Sequence, residues 1–245
     1  MSEMVANEVV KDVSGIEAFA SSELTSDEEK QMAARSDMYA LLADVFRYPD
    51  DEFRQFVRNE ELKSAFRGIS ENLPFPFALS EWELENLEFS SDLTDDDVEA
   101  EFIRLFEAGP GDPPCPLVEG KYIKDANRKA IFEDLIRFYN HFGLSYDEGS
   151  HEDRPDHISY ELEFMHYLCF LTLRAMQNKR QTEGHLMAQK DFMAHHLAKW
   201  AQLLADKIDA IAREVEQDKG ILFYTNLINL LSRYIKADWG YLMAS

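Results

Sequence analysis

The chain has 245 residues, 45% of them hydrophobic, and carries 47 acids against 25 bases for a formal charge of −22. That length supports one large domain or two small subdomains, and the negative balance argues against nucleic acid and anionic membranes as partners. No apolar run approaches the roughly 20 residues that span a bilayer, and the acidic start Met1–Val10 lacks the basic, then apolar, pattern of a secretion signal, so a cytoplasmic location is expected.

Residues 1 to 24 are polar, weakly patterned and read as an N-terminal arm. Ser26-Asp-Glu-Glu29 is a capping box opening a long helix whose stripe is Met38, Leu41, Leu42, Val45 and Phe46, with Pro49 as the stop. Phe53, Phe56 and Val57 mark a second helix, and Leu62 and Phe66 a third. From Gly68 to Ile103 there is no Lys or Arg, the pattern of a solvated face or loop. Thr94 followed by Asp97 reads as another helix start, continued by Val98, Phe102, Leu105 and Phe106.

Gly109-Pro-Gly-Asp-Pro-Pro-Cys-Pro116 cannot be helical, because its prolines lack backbone donors and impose an extended path. Gly109, Pro110, Pro113, Pro114 and Pro116 therefore define an expected hinge, 109–122, between helical halves at 25–108 and 123–245. Helix resumes around Ile123 and ends at Gly143, a C-cap residue. After the loop Gly149–Asp153, a long helix is expected with Asp153 as N-cap, Pro155 in the first turn and Asp156 as a first-turn acid. Its buried face is Ile158, Leu162, Met165 and Leu168. A single helix is then expected to carry Phe192, His196, Leu197, Trp200, Leu203 and Leu204, and a last one runs from Ile221 to Trp239. No alternating pattern marks a strand, so the fold class is all-α.

Chemical motifs are few. Cys115 and Cys169 have no CxxC spacing, which gives neither a disulfide framework nor a zinc site. Gly120-Lys121 lacks the rest of a phosphate loop. His195 and His196 point to different helix sectors. Glu163-Phe-Met-His166 is half of a carboxylate-bridged di-iron motif, and it carries the alternative reading of a helical metal-dependent oxidase. The only other ExxH, Glu148-Gly-Ser-His151, sits in a glycine loop. Asp156-His157 is the pair that helix formation does not require, which marks it as functional.

Taken in order, three segments carry a family resemblance. They are Phe102-Ile-Arg-Leu-Phe106 leading into Gly109–Tyr122, then Asp156-His157 with Glu161 and Phe164-Met165, then Phe192, His196, Leu197 and Trp200. Together with Leu41–Pro49 they resemble the TorD/DmsD/NarJ family of redox enzyme maturation proteins, over roughly residues 30 to 240. The resemblance implies a single all-helical domain of the TorD type, with two halves joined at the Pro-rich hinge, as a monomer or a domain-swapped dimer. It implies no catalysis, metal or cofactor. The expected partner is the catalytic subunit of a molybdenum-cofactor enzyme of the DMSO-reductase type. It would be recognised through its N-terminal, twin-arginine leader, held back from premature export and kept ready for cofactor insertion. The expected leader groove is lined by Phe102, Leu105, Phe106, Val118 and Tyr122, with Asp156, His157 and Glu161 at its edge. This chain has Gly111, Asp112 and Leu117 where many relatives carry aromatic residues, which implies a less aromatic and more acidic groove.

Overall fold

A computed structural model describes residues 24–123, 127–145, 154–215 and 219–244. The expected arm, the Asp153 cap and the Glu148/His151 pair lie outside those residues. Helix α1 spans Asp27–Val45, α2 Asp51–Arg58, α3 Glu61–Ser70, α4 Glu81–Glu85 and α5 Asp95–Phe102. The C-terminal part holds α6 (Arg128–His141), α7 (Ile158–Gln177), α8 (Glu183–His195), α9 (Leu197–Glu214) and α10 (Lys219–Ala244). Among the described residues the only β feature is an isolated antiparallel bridge between Val118 and His157. The fold is all-α, as the sequence predicts.

Local chemistry sets the helix ends. The Ser26 hydroxyl accepts the Glu29 N–H at 3.1 Å and the Glu29 carboxylate reaches back, so the expected box is present. Thr94 and Asp97 form another, and Ser80 with Glu83 a third, which opens the short α4 that sequence patterning missed. Asp50 caps α2 through the Phe53 N–H. At the end of α6, Gly143 adopts φ +79°, and its N–H and that of Leu144 bond to the carbonyls of Asn140 and Tyr139, which closes the helix as a Schellman motif. Thr94→Ala is expected to cost about 1 kcal/mol, the usual loss for such a cap. It should appear as a lower urea midpoint at unchanged slope, and an unchanged midpoint would show that the Asp97 contact to the Thr94 N–H is sufficient alone.

Two boundaries differ from expectation. Helix α7 begins at Ile158, with His157 as its N-cap, its imidazole accepting the Ser159 N–H at 3.3 Å. Pro155 and Asp156 thus precede the helix, because the stretch from Leu117 to Glu119 bonds across to it: Ile158 N–H donates to the Leu117 carbonyl and Glu119 N–H to that of Asp156, both at 2.9 Å. The expected single helix carrying Phe192 to Leu204 is two, α8 and α9, broken at His196, whose backbone sits at φ −125° and ψ −96°.

The core runs through residues from both sequence-defined halves. Helix α1 lies along α7, and α9 along α10, with α8 between α7 and α9. The buried Arg35 guanidinium of α1 pairs with Asp238 of α10 through two bonds of 2.6 and 2.9 Å, and the Tyr39 hydroxyl adds a third at 2.6 Å. Asn226 of α10 reaches the Glu83 carbonyl at 2.8 Å. The Pro-rich segment is non-helical, as its prolines require, but it bends repeatedly, with Gly111 at φ +106°, rather than running extended, and it is anchored: Cys115 N–H donates to the Leu105 carbonyl at 2.8 Å, and Cys115 and Leu117 are buried. Before it, α5 runs into a π-helical turn, Ile103–Glu107. Both thiols, Cys115 and Cys169, are free and buried.

Candidate functional site

Crossing of the 117–121 segment with the start of α7 gathers three carboxylates. Asp156 is fully buried. Its Oδ2 accepts the Gly120 N–H at 3.0 Å, and its two oxygens take the Arg154 Nε and Nη2 at 2.8 and 2.7 Å. A Cβ on residue 120 would sit 3.0 Å from that Oδ2, so the close approach of the 3₁₀ turn Glu119–Lys121 depends on glycine. Glu119, also buried, meets the His196 Nδ1 at 2.8 Å. The far nitrogen of His196 lies 3.5 Å from Asp134 of α6. The break between α8 and α9 is what turns this imidazole toward Glu119.

Glu161, on the first turn of α7, is the third member. Its Oε2 accepts the indole N–H of Trp200 at 3.1 Å, while its Oε1 is buried without a hydrogen-bond partner. Burial, then the charges of Glu119 and Asp156, push its pKa well above the usual carboxylate value, against the opposing Trp200 bond. Trp200 is itself buried and stacks on Tyr122 at 5.4 Å between ring centroids.

Beside the cluster a groove of about 490 Å³ runs between α6 and α8, lined by Phe138, Phe142 and Met187 with Asp134, Asp191, Arg137, His141 and His195 around them. Met187 is 63% exposed, which leaves a flexible apolar side chain at the surface.

Of the residues singled out from sequence, Asp156, His157, Glu161, Val118 and Tyr122 come together here. Phe102, Leu105 and Phe106 are buried in the core, Phe102 and Phe106 against each other and against Tyr224 of α10. Sequence reasoning missed Glu119, Gly120, Arg154 and His196 as site members. Their signals were present in the rejected phosphate-loop fragment and in the Phe192–Trp200 motif, but neither shows that the two segments meet.

The di-iron alternative finds its residues otherwise engaged. Glu163 pairs with Arg47. The His166 Nδ1 lies 2.9 Å from the Ser36 carbonyl, an acceptor only, so that nitrogen carries the proton. Burial holds the His166 pKa below its ordinary value, against that backbone bond. Among the described residues no group of three or more His, Cys, Asp or Glu side chains converges as metal ligands.

Residues 59–206 match the family described as nitrate reductase delta subunit. The chain belongs to this family. It is 30% identical to the perchlorate reductase assembly chaperone protein of Dechloromonas aromatica over 207 residues, 83% of this chain and 88% of that one. It is also 30% identical to the chlorate reductase assembly chaperone protein of Ideonella dechloratans over 184 residues, 75% of this chain and 80% of that one. With the selenate reductase assembly chaperone protein of Thauera selenatis it shares 36% identity over 118 residues, 48% of this chain and 61% of that one. These relatives bear out the expected resemblance to redox enzyme maturation proteins. The whole carboxylate cluster of this delta-subunit family member, from Glu119 to Trp200, lies inside the matched segment, whereas the Arg35–Asp238 tie lies outside it.

Proposed function

We propose that this protein is an assembly chaperone for a molybdenum-cofactor enzyme of the DMSO-reductase type, and that it works by binding the N-terminal, twin-arginine leader of the catalytic subunit. Binding in the cytoplasm delays export until the cofactor is inserted. Kinship with chaperones of perchlorate, chlorate and selenate reductases supports the assembly role. The observation that carries the leader reading is the buried Glu119–Asp156–Glu161 cluster, with Arg154 over it, next to a groove with apolar Phe138, Phe142 and Met187 and a rim of mixed charge.

A leader has a basic start and an apolar continuation. The basic start meets the carboxylates at Asp156, with His157, Val118 and Tyr122 around the approach, and the apolar stretch lies along Phe138, Phe142 and Met187. Both surfaces lie along α6, so a single extended or helical peptide reaches them together. Complementary charge speeds encounter and selects partner. Among the described residues no helix is long and apolar enough to cross a membrane.

Isothermal titration of the purified full chain with leader peptides from the molybdenum enzymes of the same organism tests the proposal. Micromolar or tighter binding to one leader is expected, weakened by added salt. His157→Ala should weaken it with helicity unchanged. Absence of binding to every leader would sink the reading.

A further inference from the structure

Arg154 is held by a set of groups suited to a guanidinium and to no other cation. The two oxygens of Asp156 take its Nε and Nη2 side by side at 2.8 and 2.7 Å, a fork-on-fork pairing that an ammonium cannot reproduce. Its Cζ stands 5.5 Å from the centroid of the Phe132 ring, within cation–π range. Gly120 closes the third side, where an added Cβ would come 3.6 Å from the Arg154 Nη2. The Asp156 side chain is fully buried and that of Arg154 is 29% exposed. The guanidinium is therefore the stopper between solvent and the carboxylate.

Among the described residues, what lies behind the stopper holds more acids than cations. Glu119 and Glu161 are buried near Asp156, and the cations placed among the three acids are Arg154 and, when protonated, His196. One oxygen of Glu161 has no hydrogen-bond partner. Arg128, from the first turn of α6, also stands over Phe132 at 5.7 Å, with its Cγ 3.5 Å from where a Cβ on Gly120 would be. The Phe132 ring thus has two guanidiniums within cation–π reach.

We propose that Asp156, Phe132 and Gly120 form an arginine-recognition site, and that Arg154 occupies it as an internal competitor which an arginine side chain of the bound leader displaces. The idea rests on the leader reading above and adds the chemistry of the contact. Arg154 is tethered two residues from Asp156, so it re-forms its pair whenever the guest leaves. An incoming lysine cannot match the fork and does not displace it, so the exchange sets a preference for arginine over lysine. The tether also lowers leader affinity in the wild type, which suits a chaperone that must let its client go.

Two experiments separate this idea from the reading it rests on. In the first, the full-length protein and its Arg154→Gln variant are titrated with a leader peptide and with the same peptide carrying lysine for arginine. Removing the competitor should tighten arginine-leader binding roughly tenfold or more, the scale of one charged hydrogen-bond pair. It should leave the lysine peptide weak on both proteins. Binding by the wild type with unchanged or weaker binding by the variant overturns the exchange and leaves the chaperone reading standing. The second experiment uses no leader. Arg154→Ala is titrated with low-millimolar N-ethylguanidinium, with ethylammonium as control, and its melting temperature is followed. Guanidinium-specific stabilisation of the variant and not of the wild type supports the site even if no leader binds either protein. Equal response to both cations, or none, overturns it. Should Arg154→Ala not fold, Arg154→Lys serves in its place, retaining the charge and losing the fork.

Discussion

Arg35→Ala is expected to lower the melting temperature by on the order of 10 °C, the largest loss of any single substitution considered for this chain. Arg35 and Asp238 are both fully buried, and the truncation leaves Asp238 with the Tyr39 hydroxyl for company and no positive charge. Removing one partner of a buried pair costs about 3–5 kcal/mol, because the surviving charge is stranded out of water. For a chain of this size each kcal/mol moves the midpoint by roughly 2–4 °C. The control is Arg35→Met with Asp238→Leu, which removes both charges and should recover most of the loss. A drop of under about 3 °C for Arg35→Ala would mean that water reaches Asp238 and that the tie between α1 and α10 is not a dry one.

Glu161→Gln should do the opposite and stabilise the protein, increasingly so as pH rises. Glu161 holds its proton in the folded state to a higher pH than in the unfolded chain, where it titrates near the ordinary 4.5. Above that value the unfolded state has released a proton that the folded state still keeps, so stability falls with rising pH until the folded group also ionises. Glutamine is neutral throughout and retains an acceptor for the Trp200 N–H. The gain grows by about 1.4 kcal/mol for each pH unit above 4.5 until the folded group itself ionises, and is close to nothing below pH 4.5. Melting curves from pH 4 to 8 decide the matter, since a gain independent of pH would place the ionisation elsewhere.

Short-range chemistry made much of this fold legible. Ser26 with Glu29, Thr94 with Asp97, and Gly143 name helix ends because a cap is made by residues three or four apart. The start of α7 was misplaced for a physical reason. Pro155 and Asp156 satisfy every local rule for a first turn, yet the backbone bonds from Leu117 and Glu119 compete for those positions and win. The break at His196 is equally invisible locally, since the contact it makes possible joins that imidazole to Glu119, 77 residues away. The candidate site shows the same division. Asp156 and His157 stood out in the sequence as a pair that helix formation does not require, yet His157 caps α7, while no motif marked Glu119 until the chain crossing paired it with His196. Arg35 and Asp238 are 203 positions apart, and no periodicity links them.

The two buried thiols offer a way to watch the molecule move. Burial raises the Cys115 pKa to about 11, against the Tyr122 hydrogen bond, and that of Cys169 to about 12, so neither presents a thiolate to an alkylating reagent while its surroundings stay closed. Cys115 lies in the Pro-rich segment and Cys169 in the middle of α7. Their labelling rates therefore time two different events in the unmodified chain, release of the strap beside the carboxylate cluster and parting of the helical core. A ligand that pins the strap would slow the first clock and leave the second running.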